Sequence, residues 1–204
     1  MPLTGALPEG GAILPSSGER ERAASFADPV SRRRYTLTRL ALRRVLGGLL
    51  EIMPGEVPLG VADGGKPILL PAAPRRIEFN YTHTDGLALI AVAPGSPVGI
   101  DVERADRHAD FQAIAARFFT EEEQAFLRKE PGETLFLHIW TRKEAVLKAA
   151  GTGLAAGMKS CSVARAEGWN ARIPFGGCTY EVREVAVPEG YVAALACAVA
   201  DGAA

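Results

Sequence analysis

The stretch FLHIWTRKEAVLKAAG, residues 136–151, most constrains what this chain can become. Leu135, Phe136, Ile139, Trp140, Val146, Leu147, Ala149 and Ala150 recur at the 3.6-residue period and cover one broad arc, which predicts a helix packed on that face. Gly151 supplies its stop. Glu144 and Lys148 lie four residues apart at the edge of the arc, where packing can hold them while they face a cleft. An ordinary helix ion pair contributing about 0.3–0.5 kcal/mol is the plain alternative. Lys143 falls inside the arc, so its stem has to snorkel past packed side chains to water or to an anion.

A length of 204 residues allows one large domain or two small ones. The formal charge of -1, from 23 basic and 24 acidic residues, lacks the basic excess of a general nucleic-acid or membrane-surface protein, so any basic site is local. Cys161, Cys178 and Cys197 are odd in number and far apart, which suggests neither a disulfide framework nor a zinc site; they read as buried small hydrophobes. No leader-like start and no run of about eighteen apolar residues occurs, so the expected compartment is the cytoplasm.

Residues 1–19 are rich in Gly, Pro, Ala and Ser, with Ala12-Ile13-Leu14 as a candidate strand, and a weakly ordered start is expected. From Glu19 to about Ile52 the pattern is helical, with Asp28-Pro29 dividing a short helix from a long one. Arg32, Arg33, Arg34, Arg39, Arg43 and Arg44 make this the most basic stretch, pointing to a nearby anion or simply to a solvated face. Gly64-Gly65-Lys66-Pro67 reads as a turn before Ile68-Leu69-Leu70; it exposes amides and a lysine but lacks P-loop spacing. Residues 79–86, FNYTHTDG, lead into an apolar strand over 87–92, which sets Thr82 and His83 just before a strand. A structural histidine and a phosphate contact are both open there.

Pro94-Gly95-Ser96-Pro97 marks a boundary between two halves, 1–95 and 96–204. Val98-Gly99-Ile100-Asp101-Val102-Glu103 alternates as a strand, so the period of two sends Asp101 and Glu103 to one face. Paired carboxylates of this kind call for basic neighbours or a divalent cation such as Mg²⁺, unless the face is merely solvated. Residues 111–119 predict a helix, and Thr120 with Glu123 a capping box opening another. Strands are expected over 161–164, 170–174, 180–187 and 191–199. Each half thus mixes helix and strand, which predicts two similar α/β lobes without a convincing sequence repeat.

Taken in order, Gly65-Lys66-Pro67, Phe79-Asn80-Tyr81-Thr82-His83, Gly99-Ile100-Asp101-Val102-Glu103, Phe118-Phe119-Thr120 and Trp140-Thr141-Arg142-Lys143-Glu144-Ala145-Val146-Leu147-Lys148 resemble the Sfp-type 4′-phosphopantetheinyl transferases. The resemblance covers roughly Arg32 to Leu154. It implies an α/β (α+β) monomer of two pseudo-symmetric lobes, each a small sheet packed with helices. Coenzyme A would lie between them, its nucleotide on the side of lobe 1–95 and the metal-binding carboxylates in lobe 96–204. The implied reaction moves the 4′-phosphopantetheine arm of coenzyme A to a serine of an acyl, polyketide or peptidyl carrier protein and releases adenosine 3′,5′-bisphosphate.

The same resemblance gives Asp101, Glu103 and Glu144 as Mg²⁺ ligands, Glu144 or a water it orients as the base, and Lys148 as the cation that steadies the pyrophosphate. Lys66 and Pro67 would lie by the adenine, Thr82 and His83 by the phosphates, and Arg39 by the 3′-phosphate, joined by Arg33 or Arg34. Carrier docking is expected along the helix over 111–119. Two departures stand out: Thr82 occupies a place where the family commonly has serine, and the segment before the basic helix is short. Two other readings stay in view, a non-catalytic relative that binds coenzyme A or a nucleotide, and a different phosphate-handling protein built on the basic helix.

Overall fold

A computed structural model describes residues 15–62, 65–153, 157–163 and 171–200; Ala12-Ile13-Leu14, Gly64, Leu154, Ala164 and Asn170 of the expectations above lie outside them. The chain opens with α1 (Ser17–Ala24) and α2 (Pro29–Leu50). Ser16 and Glu19 form a capping box on α1, and Asp28 accepts from the Val30 and Ser31 amides ahead of Pro29, so the expected break at Asp28-Pro29 is present. Helix α1 starts at Ser17, two residues before the expected Glu19, and Glu19 has a second task. Its buried carboxylate accepts from Arg39 Nε at 2.7 Å and Arg43 Nε at 2.8 Å, tying α1 onto α2. Burial pushes the Glu19 pKa up, but the Ser16 amide and the two guanidinium groups outweigh it, and the net shift is downward.

Two antiparallel hairpins follow, β1 (Leu59–Val61) with β2 (Pro67–Leu69), and β3 (Glu78–Thr84) with β4 (Leu87–Ala93). Leu42, Leu46 and Leu50 of α2 pack with Phe79, Tyr81, Ile90 and Val92, so the long helix covers the second hairpin. Thr82 and His83 stand inside β3, not ahead of a strand as the sequence suggested. The aromatic and β-branched residues of 79–84 extend the ladder until the two-residue turn Asp85-Gly86 closes it, with Gly86 at φ +79°.

The remaining elements are β5 (Val98–Arg104), α3 (Phe111–Phe118), α4 (Glu121–Lys129), α5 (Glu133–Ala150), β6 (Ala171–Phe175), β7 (Cys178–Glu184) and β8 (Tyr191–Val199). The four strands form one antiparallel sheet in the order β5-β8-β7-β6. Each half therefore lays a long helix on an antiparallel sheet, giving a mixed α/β fold of small sheets packed with helices. In the second half Leu137, Ile139, Val146 and Leu147 of α5 join Val182, Ala194 and Ala196 in the largest core. Burying each large aliphatic side chain there stabilises the fold by about 1.5–3 kcal/mol. Contact is closest at Gly99, where a Cβ would lie 2.0 Å from the Ala145 carbonyl oxygen, so only glycine lets α5 settle on β5 at this depth.

Lys143 does not snorkel to water. It is 0% exposed and donates to Glu123 Oε2 at 2.6 Å and to the Cys161 carbonyl, while Glu123 Oε1 accepts the Val163 amide at 2.9 Å. The capping box of Thr120 and Glu123 forms as expected, and the same carboxylate is the anion that Lys143 finds. This corrects the strand expected from Cys161: the backbone of Cys161 and Val163 serves the buried pair, and residues 161–163 are irregular. Cys178, expected to be buried, is exposed beside the Gly176-Gly177 turn, whereas Cys161 is buried and Cys197 half-buried. Among the described residues, no helix is long and apolar enough to cross a membrane.

Two stability predictions arise from these buried charges. Lys143→Met strands Glu123 without its cation and should cost about 3–5 kcal/mol in denaturant unfolding; a loss under about 1 kcal/mol would show that the pair is dispensable. Because the folded pKa of Glu19 is depressed, its contribution is present above the ordinary value of 4.5 and lost as pH falls through the folded value. Glu19→Gln should therefore lower stability at neutral pH and flatten the acid limb of the stability curve, whereas a limb as steep as the parent's would contradict the assignment.

Candidate active site

Three elements meet where β3 runs beside β5 under the C-terminal half of α5. The Asn80 side-chain oxygen on β3 accepts the Ile100 amide of β5 at 3.0 Å. Two residues on, which the period of two brings to the same face, the Thr82 hydroxyl donates to Asp101 Oδ1 at 3.1 Å. From α5, Lys148 Nζ reaches the same Asp101 oxygen at 2.5 Å and lies 3.5 Å from Glu144 Oε2. Lys148 is thus more than an i,i+4 partner of Glu144. It joins the helix to both strands, and Asp101 and Glu144 are only 4% and 7% exposed. The other oxygen of Asp101, Oδ2, is buried without a hydrogen-bond partner among the described residues.

Beside this cluster opens a cleft of ≈ 360 Å³. Lys66 and Pro67 line it from the β1–β2 turn, Asn80, Thr82 and His83 from β3, and Lys148 from α5. Lys66 Nζ also donates to the Ala149 carbonyl at 3.4 Å, so the turn is drawn to the C-terminal end of α5, where helix carbonyls favour a cation. Five of the expected nucleotide contacts, Lys66, Pro67, Thr82, His83 and Lys148, are therefore brought to one cavity.

The electrostatics of the cluster follow from crowding of like charges in a poorly hydrated place. Burial pushes the Glu144 carboxyl up to about 7, with Asp101 and Glu103 adding repulsion that Lys148 offsets only in part. Burial and then Asp101 likewise raise Glu103, whose Oε1 is engaged by Arg107 at 2.7 Å. For Lys148 burial works downward, but Asp101 and Glu144 dominate and its pKa is raised. His83, exposed on the cleft wall, shifts the other way: partial desolvation by the surrounding protein and then the positive charges of Arg34 and Lys148 hold it below its ordinary 6.5, so it is mostly neutral at pH 7. Among the described residues, no group of three His, Cys, Asp or Glu side chains is gathered into a ready metal cage. Arg107 on Glu103 and Lys148 on Asp101 take up oxygens that such a cage would need.

The arginines expected at a 3′-phosphate are used differently. Arg39 is 6% exposed, is held by Glu19, and lies with its guanidinium 6.0 Å from the Tyr81 ring centroid, beneath the cleft and not in it. Arg34 pairs with Asp85 at the tip of the β3–β4 hairpin, and Arg33 is exposed on α2; neither lines the cavity. Sequence reasoning passed over Asn80, although its place two residues before Thr82 on an alternating strand was the available signal. It also passed over Arg107, which an i,i+4 spacing from Glu103 would have suggested. A groove of ≈ 850 Å³ lined by Phe111, Ala115, Leu127 and Phe136 lies along α3, the helix expected to meet a carrier.

Residues 97–199 match the family described as the 4′-phosphopantetheinyl transferase superfamily. The 4′-phosphopantetheinyl transferase HetI of Nostoc sp. is 42% identical over 144 residues, covering 69% of this chain and 61% of that protein. The 4′-phosphopantetheinyl transferase Sfp of Bacillus subtilis is 32% identical over 165 residues, covering 72% and 70%. A putative 4′-phosphopantetheinyl transferase of Synechocystis sp. is 32% identical, and the match takes in 60% of its length. The chain thus spans about 60% of the length of relatives such as HetI and the Synechocystis protein. Thermotoga maritima holo-[acyl-carrier-protein] synthase aligns with a TM-score of 0.38 and 22% identity, covering 50% of this chain and 62% of that one. With a family match over half of its residues and a relative about one-third identical over most of both lengths, the chain belongs to the 4′-phosphopantetheinyl transferase superfamily.

Proposed function

We propose that this chain transfers the 4′-phosphopantetheine arm of coenzyme A to a serine hydroxyl of an acyl, polyketide or peptidyl carrier protein and releases adenosine 3′,5′-bisphosphate. The observation that carries the reading is the joining of a cleft walled by the ammonium groups of Lys66 and Lys148 and the imidazole of His83 to the buried carboxylates Asp101 and Glu144. In this reading residues 1–95 form the nucleotide-side lobe and residues 96–204 the lobe of the acidic cluster, with coenzyme A between them. Lys66 and Pro67 border the adenine, and Thr82 and His83 reach the phosphates. An arriving phosphate opposes the charges that depress His83 and so favours its protonated, donating form. The 3′-phosphate is assigned to the α2 arginines, Arg39 with Arg33 or Arg34, none of which is on the walls of this cleft.

Asp101, Glu103 and Glu144 fit a divalent cation, taken to be Mg²⁺, on two grounds. Asp101 Oδ2 is a buried oxygen with lone pairs to give, and the three carboxylates repel one another in a way that a cation relieves. When bound, Mg²⁺ supplies charge neutralisation at the pyrophosphate. The protein's own part is to hold the reactants and move one proton. Glu144, or a water it orients, accepts the serine proton; the serine oxygen then bonds to the phosphorus bearing the pantetheine arm, and the bond to the adenosine bisphosphate oxygen breaks. Lys148, fixed between Asp101 and Glu144, offers its ammonium to the charge on the departing phosphate.

Intact-protein mass spectrometry tests the reaction. An apo carrier protein incubated with this chain, coenzyme A and Mg²⁺ should gain one phosphopantetheine, and a chelator should abolish the gain. Coenzyme A binding without transfer to any of several carrier classes would point to a non-catalytic relative. Asp101→Ala should lower transfer by a factor of about 100 or more; because it also leaves Lys148 without its nearest carboxylate, its unfolding midpoint should fall, and parent-like transfer measured well below that midpoint would refute the role. Glu144→Gln keeps the shape and should depress kcat more than the KM for coenzyme A; parent-like turnover would mean that the base lies elsewhere.

A further inference from the structure

The β3–β4 hairpin is joined to the second half by polar contacts at three levels between Asn80 and the turn. Asn80 holds Ile100 near the base, Thr82 holds Asp101 and Lys148 in the middle, and at the tip the Tyr191 hydroxyl donates to the Asp85 carbonyl at 2.8 Å. Tyr191 opens β8 and pairs in register with Arg104 of β5, so it is fixed by the four-stranded sheet. Its ring also packs in a small cluster with Leu87, Val102 and Ala193. The turn is shaped around it: a Cβ on Gly86 would sit 2.8 Å from the tyrosine oxygen. From the other side Arg34 of α2 pairs with Asp85. The tip is thereby gripped from both halves two residues beyond His83.

We propose that Tyr191 is a positioning residue, which through Asp85 sets where His83 stands on the cleft wall facing Lys148. The inference rests on the coenzyme A reading for its consequence but not for its geometry. Without the hydroxyl, the hairpin tip keeps its apolar packing and loses the polar contact that fixes its height over β8. Thr82 and Asn80 still hold the lower part of β3, so the displacement concentrates at His83 and the turn. A contact made by the phosphates of coenzyme A to His83 then weakens, while Asp101, Glu144 and Lys148, braced by α5 and β5, keep their places.

Tyr191→Phe removes only the hydroxyl. In the ligand-free protein the imidazole resonances of His83 should shift while those of His138, on the far side of α5 near Glu184, stay where they are. The Kd and KM for coenzyme A should rise about 3- to 10-fold, the range expected for one hydrogen bond, with kcat changing less than KM. Gly86→Ala, which drives a methyl against the tyrosine oxygen, should move both readouts in the same direction. A variant that melts earlier but keeps the parent's His83 signals and its KM would make Tyr191 a brace of the fold and overturn the inference. Failure of the parent protein to bind coenzyme A would overturn the functional reading, whereas a shifted His83 signal in Tyr191→Phe would still support the positioning.

Discussion

The ion pair between Lys148 and Asp101 is the contact on which the arrangement of the site depends. It lies where a helix from one side, a strand from the same half and a strand from the other half come together, and each contributes one atom to it. A pair of charges this poorly hydrated is stabilising only when its remaining valences are met, and here Thr82, the Ile100 carbonyl and Glu144 meet those of the ammonium. Among the described residues the carboxylate is met on one oxygen only. A group that is firmly held and yet incompletely satisfied is a common mark of a working site, because full internal satisfaction leaves nothing for a ligand.

Depth is what makes that pair possible. Gly99 lets α5 approach β5 to backbone contact, which brings Glu144 and Lys148 down to the level of Asp101. A side chain at position 99 would lift the helix and separate the charges. Away from the cleft two buried carboxylates follow the opposite rule and are met on both oxygens: Glu123 receives Lys143, the Thr120 amide and the Val163 amide, and Glu19 receives two arginines and the Ser16 amide. The contrast between saturated carboxylates in the frame and an unsaturated one at the cleft separates scaffold from site without reference to any relative.

Much of this was legible in the sequence where periodicity speaks directly. The arc of Ile139, Val146 and Leu147 gave α5 and its inward face, the alternation around Asp101 gave β5, and the spacing of Thr120 and Glu123 gave the start of α4. Periodicity reports which face is buried, not which distant charge will answer a buried one. Hence Lys143 stands out in the sequence as an anomaly that Glu123 resolves, and the pairing of Arg39 with Glu19, twenty residues earlier, carried no local sign. Thr82 and His83 were set one element too early, since FNYTHT resembles a loop in polarity while its alternation suits a strand. Tyr191 was invisible for a related reason: its role is defined by a turn more than a hundred positions away.

The two neighbours of Glu144 in sequence are both fully buried. Lys143 is locked to Glu123 on one flank, and Ala145 is pressed against Gly99 on another. With anchors pointing in directions about 160° apart on the helix, α5 can neither roll about its axis nor slide along it without breaking one of them. The bearing of Glu144 is therefore set by residues that never touch the cleft. Divergence within such a fold has little freedom on the helix and more on the hairpin opposite, so changes that retune the cleft for a different ligand would be expected to accumulate around β3 and its turn while the segment 143–145 stays fixed.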